Sequence, residues 1–255
     1  MKKIVIANWK MNGIQTDWQA WASHAAQFSG EIDNAEVVLC APAAAFHIVS
    51  QHIINAPRIS LGAQSIHSKE CGAFTGETSL NMLKDFAGDY ALVGHSEYRQ
   101  MRHIEGNQLG EQMRACVRAG VTPVLCIGES SLEREQGKTI SVLDEQLEES
   151  LKDVHFPNPE DIMIAYEPVW GIGGVNASKT PEVQDVKEVF RFIKSALKER
   201  FGDVGLDIPL LYGGSIDAGN VTSFMQELSI QGVLVGSASL KFDVFEAIVR
   251  RVNTI

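Results

Sequence analysis

Apolar positions fall along the chain in short, β-branched runs: Ile4 to Ala7, Val37 to Ala41, Ile59 to Ala63, Tyr90 to Val93, Val121 to Ile127, Ile162 to Tyr166, Ile208 to Tyr212 and Val233 to Val235. Each run is nearly continuous rather than alternating. That pattern marks a strand covered on both faces, as in a parallel sheet wrapped by helices. Between the runs, apolar residues recur at helical spacing over Thr16 to Phe28, Leu109 to Ala119, Ile140 to Lys152, Pro181 to Phe201 and Val221 to Leu228. Thr180-Pro181-Glu182 reads as a helix start, with an N-cap followed by proline at the first helical position.

The alternation continues to the end of the chain without a Ser/Pro-rich linker, a low-complexity block or a long charge run, and so predicts one domain over residues 1–255. An open doubly wound sheet is the structural alternative. Eight strand–helix pairs in 255 residues favour closure into a single parallel (β/α)8 barrel, a fold of about 250 residues. In such a barrel the chemistry sits at the carboxyl ends of the strands, which directs attention to the polar residues that follow each run.

Composition narrows the function. A hydrophobic fraction of 45% supplies a large core, while a formal charge of −10 argues against nucleic-acid or anionic-membrane partners, which usually meet a basic face. An anionic substrate then needs a locally positive site. The run after Met1-Lys2-Lys3 is far shorter than the roughly 7 to 15 residues of a signal core, and no apolar stretch approaches the roughly 20 residues of a membrane span; a soluble cytoplasmic protein is expected. Cys40, Cys71, Cys116 and Cys126 form no CxxC pair or zinc-ligand spacing and read as reduced thiols.

Asn8, Trp9 and Lys10 follow the first strand; Gly94, His95, Ser96 and Glu97 the fourth; Glu167 and Pro168 the sixth; Gly213, Gly214 and Ser215 the seventh. A lone His or Glu at a strand end is more often a structural hydrogen-bond partner than a catalyst. An amide, an ammonium, an imidazole and a carboxylate at one mouth point instead to a site. The set suits abstraction of a proton next to a carbonyl. Glu167, against apolar Val169 and Trp170, reads as the base. Lys10 as a cation and His95 as a hydrogen-bond donor would stabilise the enediolate oxygens, with the positive end of a helix starting at Ser96 keeping the His95 ring neutral. Three glycine clusters, Gly171/Gly173/Gly174, Gly213/Gly214 and Gly236 with Ser237, match the phosphate cradle usual after the late strands of barrels. Two tempting motifs fail. The run Gly171 to Asn176 lacks the third glycine of a dinucleotide fingerprint, and Leu132 stands where a phosphate loop ending in Gly137-Lys138-Thr139 needs its first glycine. No cofactor and no metal are expected.

Longer strings carry a family resemblance: NWKMN at Asn8 to Asn12, GAQ at Gly62 to Gln64, GAFTGE at Gly72 to Glu77, VGHSE at Val93 to Glu97, TPVLCIGES at Thr122 to Ser130, AYEPVW at Ala165 to Trp170, YGGS at Tyr212 to Ser215 and LVGSASL at Leu234 to Leu240. In this order, over essentially the whole chain, they resemble the triosephosphate isomerase family, which implies a TIM barrel. The resemblance implies Glu167 as catalytic base, His95 as electrophile, Lys10 with Asn8 as an electrostatic clamp and Glu97 as support. It implies phosphate held by backbone amides of Gly173, Ser215, Gly236 and Ser237, and a lid over Pro168 to Lys179 that excludes water. Glu129 would engage Trp170 of the lid, and Tyr212 with Ser215 would catch it when closed. The loop Gly72 to Glu77 would enter a partner subunit, with Thr75 reaching toward the neighbour's site in a homodimer.

The chain departs from the family pattern in places. Gly171, Gly174 and Val175 replace alanine, threonine and glycine in a lid with one extra residue. Tyr98 replaces an arginine, an extra residue lies between Arg99 and Glu105, and Ser237 replaces a phosphate-loop glycine. The expected reaction is interconversion of dihydroxyacetone phosphate and D-glyceraldehyde 3-phosphate. The alternatives are a four-carbon ketose phosphate isomerised by the same chemistry, a Schiff-base barrel lyase using Lys10, and a non-catalytic phosphate-binding barrel.

Overall fold

A computed structural model describes residues 2–104, 106–171, 181–228 and 230–255. Eight parallel strands, β1 (Lys3–Asn8), β2 (Ala35–Ala41), β3 (Ile59–Ala63), β4 (Gly88–Val93), β5 (Thr122–Ile127), β6 (Met163–Tyr166), β7 (Leu210–Tyr212) and β8 (Gly232–Val235), pair in chain order. The sheet closes where β8 returns to β1, with Ala7 opposite Val235. The open-sheet alternative is thereby excluded. Each strand coincides with an apolar run to within two residues at either end.

Helices Gln15–Phe28, Gly106–Ala119, Thr139–Leu151, Val183–Phe201, Val221–Leu228 and Phe242–Asn253 fall in the intervals between strands or after β8. The expected start at Thr180-Pro181 needs correction. Pro181 lies upstream of the cap, Glu182 is the N-cap with its N–H donated to Asp185 Oδ2 at 3.1 Å, and the first helical residue is Val183. Asp185 thus satisfies an otherwise orphaned donor, and Thr180 lies outside the described residues. No described helix is long and apolar enough to cross a membrane.

Closure divides the core in two. Ile4, Ile6, Val38, Cys40, Leu92, Val124, Cys126, Met163, Ala165, Leu211 and Leu234, contributed by every strand but β3, fill its interior. Their immediate neighbours, such as Val5, Ala7, Val37, Leu39, Ile164 and Val235, pack outward with the helices. Successive strand side chains point to opposite faces, so these two layers settle which residues enter the mouth.

Candidate active site

Following the inner parity two residues past the last interior side chain leads from Ile6 to Asn8, from Ala165 to Glu167, from Leu211 to Gly213 and from Leu234 to Gly236. All four line one pocket, together with Lys10, His95, Ser215 and Ser237. Two of its side chains arrive by left-handed backbone. Gly94, at φ 74°, turns the chain out of β4 and delivers His95, the residue that caps the helix Ser96–Arg102. Lys10 itself sits at φ 52°. This is a costly conformation for a residue with a Cβ. It is held by its own N–H donated to Asn8 Oδ1 at 3.0 Å and by Gln64 Nε2, which donates to the Lys10 carbonyl and to that of Cys40, each at 2.9 Å.

Glu167 is 1% exposed. Its Oε1 lies 3.2 Å from His95 Nε2, and its Oε2 accepts the Ser96 N–H at 3.3 Å, the first orphan donor of that helix. Its backbone N–H donates to the Ile127 carbonyl at 2.7 Å. The Cys126 thiol, which donates to the Val124 carbonyl at 3.8 Å, lies near this carboxylate, and burial, reinforced by the Glu167 charge, pushes that thiol well above its ordinary value. Arg99 feels the same carboxylate, while burial lowers its guanidinium from the usual value. The Trp170 indole N–H donates to Glu129 Oε1 at 2.9 Å, and Gly213 closes on the Glu167 stem, its Cα facing Glu167 Cγ.

Lys10 Nζ reaches Glu97 Oε1 at 2.7 Å, so the expected cation and its acidic neighbour form an ion pair at the pocket edge. Ser215 sits in a turn braced by Asn220 Nδ2 on its carbonyl at 3.0 Å and by Asp217 Oδ1 accepting the N–H groups of Gly219 and Asn220. Gly214 is required in that turn because a Cβ would strike the Tyr212 hydroxyl. Gly236 precedes the 3₁₀ turn Ser237–Ser239, whose Ser239 hydroxyl donates to the Gly236 carbonyl at 2.7 Å. Of the expected phosphate ligands, Ser215, Gly236 and Ser237 are brought together; Gly173, like Gly174, Val175 and most of the expected lid, lies outside the described residues.

Glu129, wholly buried, collects the Tyr166 hydroxyl at 3.1 Å, the Trp170 indole and, at 3.7 Å, Arg134, whose guanidinium also lies 4.1 Å from the Trp170 ring centre. Burial and the Glu129 charge raise the Tyr166 phenol far above its ordinary value. The Tyr212 hydroxyl, buried, has no hydrogen-bond partner among the described residues. Gly171 has a local reason to differ from alanine: a Cβ there would run into the Pro181 ring. Tyr98, in the arginine position, donates to Glu77 Oε2 at 3.3 Å, and Arg102 supplies the charge on the same carboxylate at 3.2 Å.

The Ser96 N–H, Arg99, Cys126 and Gln64 had no role expected from the sequence, and Gly213 was expected only in a phosphate cradle, not against Glu167. Gln64 carried a signal, a polar residue directly after an apolar strand run. The others act through backbone or through neighbours distant in the chain.

A family model described as triosephosphate isomerase matches residues 3–252. Triosephosphate isomerase of Alkaliphilus metalliredigens is 37% identical over 249 residues, covering 97% of this chain and 98% of the relative. That of Colwellia psychrerythraea is 38% identical over 250 residues, covering 96% and 95%. The crystal structure of triosephosphate isomerase from Bartonella henselae superposes with a TM-score of 0.87 at 33% identity, covering the whole of both chains.

Proposed function

The chain belongs to the triosephosphate isomerase family, isomerases of small phosphorylated sugars, and we propose that it interconverts dihydroxyacetone phosphate and D-glyceraldehyde 3-phosphate with Glu167 as the base. Glu167 removes a proton from C1 of the ketose. The C–H electron pair becomes the C1–C2 double bond, and the C2 oxygen takes the negative charge. His95 Nε2 donates a hydrogen bond to that oxygen and relays the proton between the two oxygens, while Glu167 returns its proton to C2. Lys10, drawn from Glu97 toward the substrate, and the Asn8 amide hold the charge that appears; fixed donors of this kind stabilise a transition state more than a ground state. The N–H groups of Ser215, Gly236 and Ser237, with Gly173, cradle the phosphate.

The observation that carries this reading is the buried Glu167–His95 contact of 3.2 Å in one pocket with Lys10 and the late-strand turns. A Schiff-base lyase has less support, since Lys10 Nζ is committed to the Glu97 carboxylate rather than presented as a free amine. The test is a coupled isomerase assay with triose and tetrulose phosphates. Triose turnover should dominate, and Glu167→Asp, which withdraws the base by about one methylene, should lower kcat by orders of magnitude with little change in KM. Near-normal turnover in Glu167→Asp, or a preference for the tetrulose, would overturn the assignment.

The protein acts in the cytoplasm in this reading, as a homodimer joined through Gly72 to Glu77 with Thr75 directed at the neighbour. Phe74, within that loop, is an exposed apolar residue available to such a contact.

A further inference from the structure

The carboxyl end of β5 carries the catalytic base on its backbone. The Glu167 N–H donates to the Ile127 carbonyl at 2.7 Å and the Val169 N–H to the Glu129 carbonyl at 3.1 Å, so residues 127–129 hold both Glu167 and the start of the turn Val169–Gly171. Parallel strands send the backbone groups of alternate residues to opposite neighbours, and those of Gly128 therefore face β4. That strand cannot receive them: its pairing with β5 ends at Val93 opposite Leu125, and Gly94 then turns the chain away. Gln146, from the helix Thr139–Leu151, takes the place of the missing strand. Its Oε1 accepts the Gly128 N–H at 2.9 Å, and its Nε2 donates to the Gly128 carbonyl at 3.1 Å. One side-chain amide thus satisfies two backbone groups that neither neighbouring strand reaches.

The link from Gln146 to Glu167 is rigid. The Gly128 N–H and the Ile127 carbonyl belong to one planar peptide and point in opposite directions, so Gln146 Oε1 and the Glu167 N–H grip the two ends of a single plate. Hydrogen bonds in such a series strengthen one another. A Cβ on Gly128 would run into the Glu167 carbonyl, so the two backbones lie in contact with no side chain between them. The same helix also reaches the next residue of the segment, where Thr139 Oγ1 donates to Glu129 Oε1 at 3.4 Å. Gln146 itself forms no part of the active-site pocket. We propose that Gln146 is a positioning residue for the reaction: its amide fixes the Ile127–Gly128 peptide and thereby the place from which Glu167 acts. The effect on rate rests on the isomerase reading; the brace itself does not.

The full-length ¹⁵N-labelled protein and its Gln146→Met variant, which keeps the side-chain length and loses both hydrogen bonds, are compared in two measurements. In amide hydrogen exchange followed by NMR, the Glu167 N–H should exchange at least about tenfold faster in the variant, while N–H groups of β1 and β2 keep their rates. In the triose phosphate assay kcat should fall roughly tenfold, since a misplacement of about 1 Å costs about 10²-fold and a loosened brace permits part of that. KM and inhibition by inorganic phosphate should stay within about twofold, because the turns at Ser215, Gly236 and Ser237 are untouched. Gln146→Glu, which keeps an acceptor for the Gly128 N–H, should lie between the two proteins in both measurements. Leu143→Ala, which removes a buried side chain from the same helix, should lower Tm and leave kcat unchanged. Unaltered exchange at Glu167, a kcat within about twofold of the parent, or an equal fall of kcat in Leu143→Ala overturns the proposal. Faster Glu167 exchange in the variant of a parent that proves inactive on triose phosphate supports the brace and counts against the isomerase reading instead. If Gln146→Met does not fold, Gln146→Glu is judged by the same two measurements.

Discussion

Gly213→Ala isolates the position of the base from its chemistry. A Cβ built on Gly213 lies 2.7 Å from Glu167 Cγ, with Glu167 Oε1 and the Tyr166 carbonyl next at 3.5 Å. Ordinary contact begins at 3.4 Å, so the glutamate side chain must retreat by 3.4 − 2.7 = 0.7 Å. It cannot do so freely, because its carboxylate is bound to His95 and Ser96 and its N–H to Ile127. Misplacement of a reacting group by about 1 Å costs about 10²-fold in rate, so a shift of this size should lower kcat roughly 10- to 100-fold, with KM changing less. Gly213 has no left-handed φ, so alanine strains no backbone. Overpacking of about 1–3 kcal/mol lowers Tm by roughly 2–12 °C in a chain of this size and leaves far-UV circular dichroism unchanged. Gly30→Ala, whose Cβ meets nothing within 4 Å, is the control. A folded Gly213→Ala protein with kcat within twofold of the parent would refute the claim that the Gly213 contact sets where Glu167 acts.

Lys10→Met should remove both phosphate affinity and turnover in the same coupled assay; tight binding of inorganic phosphate by this variant would contradict the clamp. Glu129→Ala strands the Tyr166 hydroxyl, the Trp170 indole and the Arg134 charge and should cost about 3–5 kcal/mol in urea unfolding, well beyond Glu129→Gln, which keeps an acceptor. Burial pushes the Cys116 thiol up to about 12 and raises those of Cys40 and Cys126 well above their ordinary value, whereas Cys71 is exposed. One thiol of four should therefore react with a disulfide reagent at pH 8, and the other three only on unfolding. Raised folded values mean that the stability from these thiols is whole below their ordinary value of 9.0 and is lost as pH rises through the folded values, so denaturation midpoints should fall above pH 9.

The eight apolar runs were legible because a strand buried on both faces has no polar positions to interrupt it, and the groups after β1, β4, β6 and β7 stood out as the first polar residues beyond them. That same continuity concealed parity. Nothing in the run Ile162 to Tyr166 says whether Ala165 or Tyr166 faces the barrel interior, so nothing local says that Glu167 turns inward while Tyr166 reaches outward to Glu129. Sequence adjacency offered Val169 and Trp170 as neighbours of Glu167; only the barrel brings up Ser96 and Gly213 from distant parts of the chain.

From residue order alone come the strand count, the closed architecture, the family and the cast of polar groups at the mouth, since each depends on local pattern or on strings read in sequence. Which of those groups touch was decided by closure. Pairing β8 with β1 fixes a common axis, the two-residue alternation of each strand then assigns every side chain to the interior or the outer layer, and left-handed turns at Lys10 and Gly94 deliver the two residues that alternation alone does not place. Contacts between residues some seventy positions apart, such as Glu167 with Ser96, exist only once the barrel does.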